Sequence, residues 1–144
     1  MTLVELLVVL GIIGLIVSMS VPGLAGYARR VRTKATLRQV VGLVSLARNL
    51  AVSSHEAHAV VVDPERREVR VVNMTTGESL EQMVRLPSSA TVSVLVGGEG
   101  STQTQFVFRP SGSLEGRTVS VVLADQEHRY TVTVSGATGA VSVE

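Results

Sequence analysis

Thr2 and Glu5 open a long apolar run, Thr2-Leu3-Val4-Glu5-Leu6-Leu7-Val8-Val9-Leu10-Gly11-Ile12-Ile13-Gly14. A Thr followed three residues later by Glu is the spacing of a helix capping box, in which hydroxyl and carboxylate each accept the other residue's amide. The positive end of the helix dipole favours the same carboxylate. An ionised acid in a segment otherwise fit for lipid costs a few kcal/mol. Local chemistry therefore puts capping first as the role of Glu5, and leaves its second oxygen available to another partner.

The other groupings are weaker. His55-Glu56-Ala57-His58 spaces its histidines i, i+3 rather than the i, i+4 of a zinc-binding His-Glu-x-x-His, and no third ligand is evident. It reads as a helix terminus with exposed imidazoles. Asp125, Glu127 and His128 read as turn residues between strands. Arg66, Arg67 and Arg70 could meet a phosphate, but Glu65 and Glu68 interleave with them, as on a solvated hairpin. No Gly-x-Ser-x-Gly elbow, phosphate loop or dinucleotide fingerprint occurs. The expected set of catalytic, metal and cofactor residues is therefore empty.

The elements that would position these residues follow from composition and period. With 144 residues there is room for one domain and an appendage. Apolar residues make up 45% and aromatics 3%, which favours aliphatic helices and Val-rich strands. There is no Cys, so a disulfide framework is excluded. Residues 6–28 are 23 uncharged positions, enough for a helix to cross a hydrocarbon core of about 30 Å. A cleaved signal peptide would begin with basic residues, whereas Met1 to Leu10 holds only Glu5. Gly11 and Gly14, and Pro22 with Gly23, are where this helix should bend or loosen.

Arg29, Arg30, Arg32, Lys34 and Arg38 then form a cationic collar suited to anionic headgroups. From Gln39 onward eight basic residues stand against eleven acidic ones, a poor match to nucleic-acid phosphates. Leu37, Val40, Val41, Val44, Ala47 and Ala51 recur at helical spacing and form one apolar face, with Arg30, Lys34, Arg38 and Arg48 outside it. Beyond Ala57 the period changes to two. Val60 to Val62 and Val69 to Val72 flank a turn at 63–67. Val92 to Val96, Phe106 to Phe108, Val119 to Leu123, Tyr130 to Val134 and Val141 to Val143 follow, separated by Gly-containing connectors such as 97–100. Successive strands without helices predict antiparallel sheet. The expected division is 1–28 transmembrane, 29–54 amphipathic helix and 55–144 antiparallel β domain.

The opening run, with Glu at the fifth position and Pro at the twenty-second, resembles the mature amino terminus of type IV pilins and type II secretion pseudopilins. Ala47 to Ala51, Phe106 to Gly112 and Val132 to Val141 are similar to the H-type minor pseudopilins and FimT-like minor pilins. The resemblance implies an α+β pilin-like fold, a long N-terminal helix packed on antiparallel sheets. It implies a structural subunit of a type II secretion pseudopilus or type IV pilus, anchored by a single pass in the bacterial inner membrane, with its β domain in the periplasm or in an extracellular filament. Its partners would be other pilin subunits, inner-membrane lipid, a prepilin peptidase and an assembly platform. By the same resemblance Met1 is the processed, N-methylated terminus, and Glu5 pairs with the Met1 amine of a neighbour so that each offsets the other's burial.

Two features depart from that pattern. By the positive-inside rule the collar biases the β domain toward the cytoplasm, a bias that a basic leader would oppose. Some FimT-like proteins resemble DNA receptors with a terminal Gly-Arg-x-Arg element, whereas Thr138-Gly139-Ala140-Val141-Ser142-Val143-Glu144 holds no cation. A pilin-shaped receptor for DNA or an exported ligand is thus the second reading, with DNA the disfavoured partner. Major pseudopilins can bind calcium in an acidic C-terminal loop, and this tail has no comparable cluster of oxygen donors.

Overall fold

The computed structural model describes every residue except Met1, Ser89, Gln103 and residues 125–127, and for residues 19–25 it describes the backbone alone. The chain divides into two units, Met1–Arg32 and Thr33–Glu144. One helix, α1 (Leu3–Ser54), supplies 52 residues, and its helical backbone runs on through Pro22 and Gly23. It ends where His55 takes a left-handed φ of 58°.

Within Thr33–Glu144 the helix meets, among the described residues, nine strands: β1 (His58–Asp63), β2 (Glu68–Asn73), β3 (Ser79–Arg85), β4 (Thr91–Val96), β5 (Glu99–Ser101), β6 (Gln105–Phe108), β7 (Val119–Ala124), β8 (Arg129–Val134) and β9 (Val141–Val143). They form two antiparallel sheets, ordered β3-β2-β1-β6 and β5-β4-β7-β8-β9. The alternation read from the Val-rich runs is observed in β1, β2, β6, β7 and β8, whereas in β4 only Val94 is buried and in β9 Val143 is exposed. Val60 and Val62 of β1, Val69 and Val71 of β2, and Phe106 and Phe108 of β6 point into the core, as do Val119, Val121 and Leu123 of β7 and Val132 and Val134 of β8. A one-residue slip would expose each set, so the core fixes the register.

The turns are set by local chemistry. Between β1 and β2, Asp63 Oδ1 accepts the amides of Glu65 at 3.0 Å and Arg66 at 2.9 Å. Between β4 and β5, Gly97 and Gly98 have φ of 63° and 92°, the two positive values of a type I′ hairpin turn. Glu99 and Gly100, expected in that loop, are strand residues opposite Val96 and Leu95. The strand β3 was not anticipated. It is an edge strand in which Val84 alone is buried, so its residues carry no period-two pattern.

On the helix, Leu37, Val40, Val44, Ala47 and Ala51 are buried as expected. Val41 is only half-buried, while Leu43, Thr33 and Thr36 are buried in addition, because the covered stripe is centred near Val40 and Ala47, which leaves Val41 beyond one edge and takes in Leu43 and Thr36 on the other side. Arg48 also departs from expectation. It is half-buried, and its Nε donates to the Gly112 carbonyl at 3.1 Å. Gly112 (φ 80°) and Gly139 (φ 65°) close around it: a Cβ on Gly139 would overlap the Gly112 carbonyl oxygen and stand 3.1 Å from Arg48 Nε.

This packing yields two expectations. Gly139→Ala forces a left-handed alanine onto a backbone carbonyl and should destabilise the Thr33–Glu144 unit by at least about 1–2 kcal/mol, read as a lower midpoint in thermal unfolding of the detergent-solubilised chain. Ala47→Leu, with no free surface at that position, should cost about 1–3 kcal/mol by overpacking, whereas Asn49→Leu on the exposed side should leave the midpoint within a degree or two.

Candidate functional site

In the Met1–Arg32 unit the capping box is formed. The Thr2 amide donates to Glu5 Oε2 and the Glu5 amide donates to Thr2 Oγ1, both at 3.3 Å. One carboxylate oxygen is thus engaged locally, and Glu5 itself is exposed. Around it, twelve large apolar side chains from Leu3 to Val17 are exposed, between 76% at Leu3 and 46% at Val9. They cover every side of the helix rather than one stripe. An apolar surface of that extent marks an interaction surface rather than the single stripe of a helix packed on its own domain. No atom lies within 4 Å of where a Cβ would stand on Gly11 or Gly14, so packing within the chain does not require glycine at either position. Met1 and the side chain of Pro22 lie outside the described residues.

The described part of the apolar run, Leu3 to Ser18, is 16 residues, about 24 Å of helix. Among the described residues no helix is long and apolar enough to cross a membrane. The collar cations Arg29, Arg30, Arg32, Lys34 and Arg38 are all exposed.

The remaining candidates do not assemble into a site. His55 is exposed, but His58, expected to be exposed too, is buried at the head of β1 with its Nδ1 donating to the Glu56 carbonyl at 3.0 Å. The cause is strand pairing, which sets His58 between Asn73 and Phe108. Among the described residues no group of acids and histidines could hold a metal ion. Asp125 and Glu127 lie outside them, and His128 stacks on Tyr130 with ring centroids 6.2 Å apart. The three arginines of the β1–β2 region are dispersed. Arg66 lies 4.0 Å from Asp63, and Arg67 Nη2 donates to the carbonyls of Pro87, at 2.6 Å, and Ala90. Arg70 sits on β2 opposite Val61 and Met83. The buttress Arg48–Gly112–Gly139 was invisible as such in the sequence, yet it joins the three distant segments around Ala47, Phe106 and Val134 that shared the family likeness.

Comparison with known proteins agrees with this architecture. The solved structure of the type IV minor pilin FimU of Pseudomonas aeruginosa is similar with a TM-score of 0.64 at 14% identity, covering 82% of this chain and 92% of that one. The minor pseudopilin EpsH of the Vibrio cholerae type 2 secretion system gives 0.63 at 13% identity, covering 78% and 95%. Such identities speak for the fold. No curated protein sequence matches the chain. A family profile described as type II transport protein GspH matches residues 36–138. That span runs from the sheet-facing part of α1 to the end of β8 and takes in the whole core, and on it the chain belongs to the type IV pilin-like GspH family of type II transport proteins.

Proposed function

We propose that this protein is a structural minor pilin or pseudopilin that residues 1–28 anchor in the bacterial inner membrane by a single pass, with 29–54 as amphipathic helix and 55–144 as a periplasmic β domain. From there it is built into a type II secretion pseudopilus or a type IV pilus. The family is one of structural pilin subunits of the periplasm or of filaments, partnered by other pilin subunits. The observation that carries the finer reading is the belt of twelve exposed apolar side chains from Leu3 to Val17 interrupted by the single carboxylate of Glu5. Lipid covers that belt before assembly, and neighbouring helices cover it afterwards.

In the filament the Glu5 carboxylate pairs with the N-methylated Met1 amine of a neighbour, exposed by prepilin peptidase and fed in by an assembly platform. The capping bond to Thr2 is compatible with this, since it uses one oxygen. Gly11, Gly14 and Pro22 let the helix adjust between lipid and filament. The dispersal of Arg66, Arg67 and Arg70 favours scaffold over DNA receptor.

Glu5→Gln keeps a capping oxygen and removes the charge, while Glu5→Ala removes both. If pairing is the role, both variants should reach the membrane folded and both should lose filament incorporation at least ten-fold, consistent with roughly 3–5 kcal/mol for breaking a buried ion pair. Recovery of sheared filaments measures this, and normal incorporation of Glu5→Gln would assign the residue to capping alone.

A further inference from the structure

Each sheet ends in strands with one open edge, and β3 is the longest of them. β5 and β9 have three residues each, β6 has four and β3 has seven. The Leu86 amide donates to the Arg67 carbonyl at 2.8 Å, so the next pair along, Arg85 with Glu68, is not hydrogen-bonded. The amides and carbonyls of Arg85 and Met83 therefore point away from β2, and among the described residues nothing bonds to them. Val84 is buried, which turns Met83 and Arg85 to the outer face of the sheet. Between Met83 and Ser79 three residues of β3 stand against Val71 alone. Two extra residues keep the alternation in phase, so Glu81 shares that outer face. The face thus reads acid, methionine, base at Glu81, Met83 and Arg85, all exposed. Neither Glu81 nor Arg85 has an ion-pair partner among the described residues. Beside this edge a groove of about 480 Å³, lined by Gln39, Gly42, Leu43 and Leu46 of α1 and by β3 itself, holds no charge to repel an incoming chain.

We propose that β3 pairs antiparallel with β3 of a second copy of this chain, with Met83 on the two-fold axis. Met83 then exchanges backbone hydrogen bonds with Met83 of the other copy, which uses the outward amides and carbonyls. In that register Glu81 of each copy stands opposite Arg85 of the other, giving two cross-strand ion pairs. Moving the centre to Gln82 or Val84 sets a charge against Met83 instead. A parallel pairing in register sets Glu81 against Glu81 and Arg85 against Arg85. The order of charges thus selects both the second copy and the register. Charges on an edge strand ordinarily keep other chains off, whereas these two are placed so that the same strand turned around neutralises them. The contact closes on two copies and cannot continue along a filament, so it belongs to subunits outside one.

The chain has no cysteine, so Met83→Cys introduces a single thiol. Opposed residues of a hydrogen-bonded antiparallel pair lie about 5.5 Å apart at Cα, within the range that a disulfide spans. Mild oxidation of the full chain in membranes should link most of the Met83→Cys protein as a dimer, several-fold faster than Ser93→Cys, an exposed position on β4. Glu81→Arg or Arg85→Glu, each added to Met83→Cys, sets like charges opposite one another and should slow linking roughly five- to ten-fold. The two reversals together remake the pairs and should restore the rate. Linking no faster than at Ser93→Cys, or a rate blind to the single reversals, would overturn the proposal, as would a double reversal as slow as the single ones. Where a reversed variant does not fold, salt gives the same reading: linking of Met83→Cys should slow as ionic strength rises, and a rate independent of salt counts against the charge pairing. Slow hydrogen exchange at the Met83 and Arg85 amides without a disulfide dimer would overturn it in favour of a strand from a different chain.

Discussion

Val40, Val44, Ala47 and Ala51 have no exposed surface at all, and both sheets depend on that face of α1. Neither sheet is closed, and each has a row of inward Val, Leu or Phe side chains that must be covered on one side. A single helix covers them with Leu37, Val40, Leu43, Val44, Ala47 and Ala51, which join the inward side chains of both sheets in one core. Burial of each Val there is worth about 1.5–3 kcal/mol. Arg48 and the two glycines at 112 and 139 fasten the same helix to the loop after β6 and to the β8–β9 hairpin.

The same helix carries a second, opposite surface chemistry. From Leu3 to Val17 it is apolar on all sides and carries one carboxylate; from Thr33 onward it is apolar on the face that the sheets cover. The collar marks the change. The core of the Thr33–Glu144 unit and the exposed apolar belt of the Met1–Arg32 unit share no residue, so a change in either should leave the other largely untouched.

Charge follows the same division. Cations crowd the stretch from Arg29 to Arg38 and acids are confined to Glu5 and to the chain beyond His55. Two arginines bind distant carbonyls: Arg67 ties the β1–β2 turn to the connector between β3 and β4 through the carbonyls of Pro87 and Ala90, and Arg48 of α1 holds the Gly112 loop. Sequence spacing cannot separate such inward arginines from a phosphate-binding patch, because the carbonyls they bind are distant in the chain.

The sequence by itself determined the architecture. The capping pair Thr2 and Glu5, the apolar run, the helical recurrence from Leu37 to Ala51 and the alternation in seven strands are all local patterns, and local patterns survive in a one-dimensional string. Tertiary structure alone decided the rest. Edge strands β3 and β5 exist because a neighbouring strand offers hydrogen bonds, not because their residues alternate. His58 is buried by its partners in the sheet, and Val41 yields its expected place to Leu43 because the covered stripe is centred near Val40 and Ala47. Arg48, Gly112 and Gly139 meet only when the chain closes, since backbone carbonyls that recognise a guanidinium leave no mark on the sequence until the fold brings them there.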